Sequence, residues 1–247
     1  MDVKILLLGK DGMAGQTVYR YLKEHNYDIK GLSRKEFNAT EDKLCDKEQL
    51  EQYDYVINCI GLLNHETDTK KLILVNALLP HILEEYSKEY NFKLIHISTD
   101  CYLDNTAYGH SKWLGELNNS LTIRTSIIGH DNIKRGTGLL NWVINQQGVV
   151  NGYLNHIWYG ITTLELAKVI DKCIELELTG IVEATNGTPI TKNRLLELIK
   201  KEYELDIDIK GIYTEETTIK ELQKDIDFNI PTYEQMIHEM RLFNEKH

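Results

Sequence analysis

The chain has no apolar run approaching the ~20 residues that a membrane-spanning helix requires, so it does not read as a membrane protein. It is also poor in cysteine. Cys45, Cys59, Cys101 and Cys173 are its four thiols, and none stands at the CxxC spacing of a zinc or redox motif. No metal site is expected, and scattered thiols suit a reducing compartment. Positive charge is short as well: a formal net charge of -10 argues against nucleic acid as a partner. Local basic spots remain free to hold phosphate. The N-terminal stretch MDVKILLLG, with an acid at Asp2 and an early glycine, reads as a strand and not as a signal peptide, so a cytoplasmic protein is expected. There is no repeat and no low-complexity linker, and 42% hydrophobic residues in 247 suffice for a sizeable core.

What is present begins with a glycine turn. The apolar run Val3 to Leu8 ends in GKDGMAG, with Gly9, Gly12 and Gly15 spaced as GxxGxxG before the helical stretch QTVYRYLKEH. Strand, glycine turn and helix in that order place the backbone N–H groups around Met13 and Ala14 where they can meet a pyrophosphate. The next strand, YDIKGLS, ends at Ser33 and Arg34, where an NAD-binding fold would carry an acid for the ribose 2′-hydroxyl. A hydroxyl and a guanidinium instead suit a 2′-phosphate, so NADPH is the expected cofactor. The run DYVINCI brings Cys59 and Ile60 to a strand end, and Gly61 follows where backbone must pass close to a cofactor.

The stretch from His96 to Glu116 carries the candidate chemistry. Tyr108 and Lys112 stand at i and i+4 at the start of a helix, so their side chains share a face. An ammonium beside a phenol lowers its pKa from ~10 and makes it a usable acid. Thr99, at the end of the apolar run KLIHIST, can offer a hydroxyl to the same carbonyl oxygen. YxxxK also occurs by chance on solvated helices; the STD triplet before it and the glycine turn give it weight.

Together these segments resemble the extended short-chain dehydrogenase/reductase superfamily. VINCIGLLN, VNALLPHIL, HISTDCYLD, AYGHSKWLGE and LTIRTSIIG are similar, within it, to sugar-nucleotide reductases related to dTDP-4-dehydrorhamnose reductase. The resemblance implies a Rossmann-type α/β fold, a doubly wound parallel sheet with a small C-terminal substrate-binding lid. It places Asn76 near the nicotinamide and makes FNAT, with Ala39, the third strand passing the adenine. It further implies substrate contacts from Asp100, Asn141 and Trp142. Only Asp100 to Ala107 separate Thr99 from Tyr108, where the family carries a longer insertion; these eight residues span at most about 26 to 29 Å. Tyr108 keeps its place, and a more open pocket is expected. STDC and GHDN resemble GDP-fucose synthase, which inverts a keto sugar before reducing it, and make Cys101 and His130 a candidate acid–base pair. The alternative is a small packing cysteine and a satisfied turn histidine.

Further along, LTIRTSII reads as the sixth strand, whose Arg124 needs a partner. The basic pair Lys134 and Arg135 precedes the helix LLNWVINQ. Tyr153, Asn155, His156, Trp158 and Tyr159 form an aromatic and amide cluster offered as a substrate wall. Pro80 should kink the helix from Leu72 to Tyr86. An amphipathic helix over TTLELAKVIDKCIEL and a last strand at GIVEAT rejoin the sheet. The organisation expected is an NADP-binding part, 1–129 plus 161–186, and a substrate-binding part, 130–160 plus 187–247, in one compact unit. The expected activity is reduction of a nucleotide-linked (UDP, dTDP or GDP) 4-keto-6-deoxyhexose, with a homodimer admitted as the assembly. The competing class is a non-catalytic, cofactor-sensing regulatory subunit.

Overall fold

The computed structural model describes residues 3–131, 138–224 and 226–246. Two compact units are present, Met1–Arg124 with Ile170–Val182, and Thr125–Val169 with Glu183–His247. In the first, short and largely apolar strands form the sheet, the inner ones buried along most of their length as parallel sheets require and the edge strand Asp28–Leu32 buried only at Gly31 and Leu32. They are β1 (Lys4–Leu8), β2 (Asp28–Leu32), β3 (Tyr55–Asn58), β4 (Lys93–Ile97) and β5 (Leu121–Arg124). Their helices are α1 (Met13–Glu24), α2 (Thr69–Leu72), α3 (Leu79–Tyr90) and α4 (Ala107–Leu114).

These strands lie in the order β2-β1-β3-β4-β5 and pair in parallel. Leu32, Leu8, Asn58, His96 and Thr122 form one row across the sheet. Ser33, Gly9, Cys59 and Ile97 therefore leave along a single edge, the carboxyl ends, on either side of the point where strand order reverses between β1 and β3. This doubly wound parallel sheet is the expected Rossmann-type arrangement.

Three segments depart from expectation. Phe37–Thr40 is a turn and not a strand: Phe37 is buried, while the Asn38 carbonyl accepts from Glu41 N and Asp42 N, curling the backbone. The single sixth strand is two, β5 and then β6 (Ile127–Ile128), interrupted at Thr125 and Ser126. Around Pro80 the helix is wound as a π-type segment, Ile73–Leu78, between α2 and α3. Proline offers no N–H to the carbonyl of Asn76. The backbone of Gly115 packs onto that carbonyl so closely that a Cβ there would collide with it.

The remaining elements are α5 (Leu139–Ile144), β7 (Gly148–Tyr153), β8 (His156–Trp158), β9 (Ile161–Thr162), α6 (Thr163–Glu175), β10 (Gly180–Glu183), β11 (Ile190–Thr191), α7 (Lys192–Glu202), β12 (Ile207–Ile212), β13 (Thr218–Ile219) and α8 (Tyr233–Glu245). β10 joins the large sheet beside β5. In the second unit β7 pairs with β12 and β6 with β9, both in parallel, while β8 lies between β11 and β13. Thr191 and Thr232 accept from Arg194 N and Gln235 N and start α7 and α8. Met236, Ile237 and Met240 form the buried face of α8. No helix among the described residues is long and apolar enough to cross a membrane, and no cluster of His, Cys, Asp and Glu in them is placed to hold a metal ion.

Candidate active site at the carboxyl edge of the sheet

The glycine turn is held by backbone bonds. Gly9, at φ +83°, and Lys10 both donate to Leu32 O, and Gly12 N donates to Gly9 O at 3.0 Å. A Cβ on Gly15 would collide with the Gly9 carbonyl and stand 2.8 Å from its carbon, so only glycine lets α1 approach this turn. Gly12 caps α1 with no side-chain hydrogen bond, and no acid stands in the first turn. The first N–H groups of a helix have no intrahelical acceptor. Those of Met13, Ala14 and Gly15 thus face outward from the turn with the positive end of the helix dipole behind them. That donor set fits a pyrophosphate.

At the end of β2 the structure places a residue that the sequence reading passed over. Glu36 reaches back so that its Oε2 accepts from Ser33 N (2.8 Å) and Ser33 Oγ (2.7 Å) and pairs with Lys10 Nζ (2.9 Å). An acid is therefore present here, three positions beyond the strand-end serine. The Ser33 N–H and the Lys10 ammonium hold its carboxyl down at about 2. Arg34 is exposed, and Ala39 packs against the core cluster that includes Leu6 and Phe37.

Beyond β3, Asn76 ties three pieces together. Fully buried, it accepts from Leu62 N (2.8 Å), donates to Leu62 O (3.0 Å) and donates to Ser111 Oγ (3.1 Å), which bonds Tyr108 O in turn. The loop holding Gly61 is thus fastened to the helix that carries Tyr108 and Lys112. A Cβ on Gly61 would stand 3.8 Å from Lys112 Nζ and 3.6 Å from Asn76 Oδ1. Cys59 is partly buried, desolvation pushing its thiol up to about 12, and Ile60 N donates to Asn58 Oδ1. Asn58 also meets His96 Nδ1 at 3.2 Å, and burial keeps that imidazole well below its usual pKa.

Lys112 is 5% exposed and donates to Ile97 O at 2.7 Å, at the end of β4. Burial pulls its pKa down to about 8, against the opposing pull of Glu116. Thr99 lies just past the same strand. Its hydroxyl accepts from Cys101 N and donates to Asp100 Oδ1, both at 3.2 Å, and so caps a single 3-10 turn, Asp100–Leu103. The Cys101 thiol meets Asp100 Oδ1 at 3.4 Å. This turn is what the short connection becomes. It presses on α4 at Gly109, where a Cβ would stand 2.7 Å from Asp104 O and collide with Cys101 O. Gly109, directly after Tyr108, is thus a residue the connection needs.

Arg124 finds its partner in Glu116, which also takes the hydroxyl of Ser98 at 2.8 Å, and its guanidinium stacks 3.9 Å over the Tyr102 ring. Neither Glu116 nor Tyr102 was singled out from sequence. A signal existed, since a lone charge in a strand demands a counter-charge.

The second unit holds the other candidates. His130 Nε2 lies 2.8 Å from the Tyr203 hydroxyl, and burial lowers the imidazole's pKa. Asn141 bonds both N and O of Asp131. A cavity of about 410 Å³ is lined by His130, Asp131, Asn141, Tyr203, Arg241 and Glu245 among others. Trp142 is exposed, and Tyr153, also exposed, packs its ring at a tilt against His156, with centroids 4.8 Å apart. Trp158 is buried against Tyr233 in the interior, and Asn155 is occupied by Thr214 and Glu216 of a neighbouring turn. Asn132, Lys134 and Arg135 lie outside the described residues.

The fold and its glycine-turned edge define a Rossmann-type α/β protein. Residues 3–128 match the model of the RmlD substrate binding domain family, and the chain belongs to that family. A curated relative, the spore coat polysaccharide biosynthesis protein SpsK of Bacillus subtilis, is 25% identical over 242 residues, covering 86% of this chain and 84% of that protein. Among solved structures, dTDP-4-dehydrorhamnose reductase from Bacillus anthracis in complex with NADP superposes with a TM-score of 0.80 at 18% identity, covering 98% of this chain and 99% of the other. GDP-mannoheptose C4 reductase from Campylobacter jejuni with NADP bound gives 0.75 at 12% identity over 99% and 98%.

Proposed function

We propose that this protein reduces the 4-keto group of a nucleotide-linked 4-keto-6-deoxyhexose, with NADPH as the reductant, in the making of deoxysugar nucleotides of the rhamnose, rhamnosamine or fucosamine type. The observation that carries the reading is Lys112: a buried ammonium bonded to Ile97 O beside Gly61 and Asn76, one helical turn from Tyr108. Family membership supports it, as do the NADP complexes of the structural neighbours.

NADPH, when bound, supplies the hydride. In this reading Gly9, Gly12 and the first N–H groups of α1 would hold its pyrophosphate, Ser33 with Lys10 and Arg34 would take the 2′-phosphate, and Asn76 would serve the nicotinamide side by fixing the loop that holds Gly61. Tyr108 delivers a proton to the carbonyl oxygen as charge develops there. Lys112 stabilises the phenolate left behind. Thr99, released from Asp100, donates a second hydrogen bond to the same oxygen. Asp100, Asn141, Trp142 and Tyr153 are assigned to the sugar nucleotide, and Asn155 and Trp158 act by supporting that region. Cys101 and His130 are each held by a neighbour, Asp100 and Tyr203, which favours plain reduction over reduction preceded by inversion.

The test mixes the protein with NADPH and a panel of UDP-, dTDP- and GDP-linked 4-keto-6-deoxyhexoses and follows the loss of reduced-cofactor absorbance. Turnover of one member is expected. Tyr108→Phe should bind NADPH normally and lose at least about 100-fold in rate. Cofactor binding without turnover of any sugar would favour the regulatory-subunit reading.

A further inference from the structure

Three donors converge on one oxygen at the end of β2: Ser33 N, Ser33 Oγ and Lys10 Nζ all meet Glu36 Oε2, at 2.8, 2.7 and 2.9 Å. Such convergence describes a small anion cradle. Its walls are built. Ser33 is 7% exposed, and the stem of Lys10 lies across Gly31, where a Cβ would stand 2.9 Å from Lys10 Cβ and 3.0 Å from its Cδ. Glycine thus opens the channel that delivers the ammonium to Ser33. The carboxylate filling the cradle belongs to a residue with 48% of its side chain exposed, at the end of the turn Arg34–Lys35–Glu36, so it can swing into solvent without disturbing the core.

We propose that Glu36 is an internal competitor for the cofactor's 2′-phosphate: it occupies the phosphate cradle in the free protein and must leave before a 2′-phosphorylated adenosine binds. The inference rests on the dinucleotide reading given above and adds to it a residue that sets the strength of cofactor binding. A phosphate monoester brings a charge of about -1.5 to -2 and three acceptor oxygens against the single charge and single engaged oxygen of Glu36. It also recruits the exposed Arg34 beside the cradle. Exchange is therefore favourable, but weaker by the cost of releasing Glu36 from Ser33 and Lys10. Because the carboxylate is ionised throughout the neutral range, the competition persists at working pH. An unphosphorylated adenosine ribose makes no claim on the cradle and leaves Glu36 in place.

The test is calorimetric titration of the whole protein with 2′,5′-ADP and, separately, with 5′-AMP, comparing wild type, Glu36→Gln, Glu36→Ala and Glu36→Ala/Ser33→Ala. Removing the carboxylate should tighten 2′,5′-ADP roughly tenfold, leave 5′-AMP within about twofold, and lose the gain again when Ser33→Ala is added. Circular dichroism checks that each variant is folded, as expected for an exposed side chain. If 5′-AMP binds but the affinity for 2′,5′-ADP is unchanged or lower in Glu36→Ala, the competitor role is wrong while the dinucleotide site stands. Weaker 5′-AMP binding in that variant would instead make Glu36 an acceptor for a ribose hydroxyl. Failure of both probes to bind wild type and variants alike overturns the dinucleotide reading and this inference with it.

Discussion

Glu116 accepts from Arg124 through two parallel bonds, Nε to Oε1 at 2.8 Å and Nη2 to Oε2 at 2.7 Å. Their side chains are 4% and 17% exposed. Glu116 also fixes Ser98, and Arg124 covers Tyr102, so one pair fastens the end of β4, the end of β5 and the turn after Thr99. Removing one partner strands the other charge. Arg124→Ala is expected to destabilise the protein by about 3 kcal/mol, read as a lower urea midpoint. Arg124→Lys, which keeps charge but not the two parallel bonds or the stack, should recover only part of it. A loss below about 1 kcal/mol for Arg124→Ala would show that the pair is solvent-screened.

The same relationship shows what sequence does and does not reveal. Val3 to Leu8 and KLIHIST are legible as buried strands because parallel sheets demand unbroken apolar runs. Thr191 is legible as a cap because a hydroxyl before a helical pattern satisfies an orphan N–H. Arg124's need for a counter-charge could be read, but its partner is eight residues away across a change of element and is chosen by tertiary packing. Glu36 is hidden in the sequence for a related reason: a strand-end acid is expected directly after β2, at positions 33 and 34, whereas a tight turn carries this one back from 36. FNAT misled because burial of Phe37 imitates a strand while Asn38 bends the backbone. The π-type segment before Pro80 lies where the proline lacks an N–H for the Asn76 carbonyl, and the close approach of Gly115 to that carbonyl is a tertiary contact that no local pattern encodes.

Lys112 gives a prediction with a definite sign. Its ordinary pKa is 10.5 and burial lowers it to about 8 in the folded protein. Between those values the unfolded chain binds a proton that the native one has lost, so native stability rises with pH through that window, and the burial penalty is fully present below about pH 8. The wild-type urea midpoint minus that of Lys112→Met should therefore increase from pH 8 to 10. A difference that stays flat would mean that the ammonium is not buried at cost. If Lys112 acts on Tyr108 as proposed, reduction should move oppositely, falling above about pH 8 as the ammonium loses its charge.

Gly109→Ala tests the short turn. The added Cβ meets backbone at Asp104 O and Cys101 O, and backbone yields less readily than a side chain. Overpacking of this kind costs about 1–3 kcal/mol. The turn carrying Thr99 should shift from Tyr108, cutting the rate of reduction at least about tenfold while NADPH affinity stays near wild type. A variant with wild-type rate and stability would show that the turn is free to move away from α4.

Turnover in heavy water separates plain reduction from inversion followed by reduction. The 4-keto group acidifies hydrogen only at C3 and C5, so an inverting enzyme must leave solvent deuterium at one of them, whereas hydride delivered to C4 comes from the cofactor. Here the candidate acid–base groups are already engaged. The Cys101 thiol lies against Asp100 Oδ1 at 3.4 Å, and His130 Nε2 lies 2.8 Å from the Tyr203 hydroxyl. Burial raises the cost of charging that imidazole, which a proton-removing role would require at each turnover. The product is therefore expected to carry no solvent label at C3 or C5 above that in substrate incubated alone, and Cys101→Ser should change neither the labelling nor the configuration of the product. Deuterium at either carbon, lost in Cys101→Ser, would instead establish inversion and assign the thiol to it.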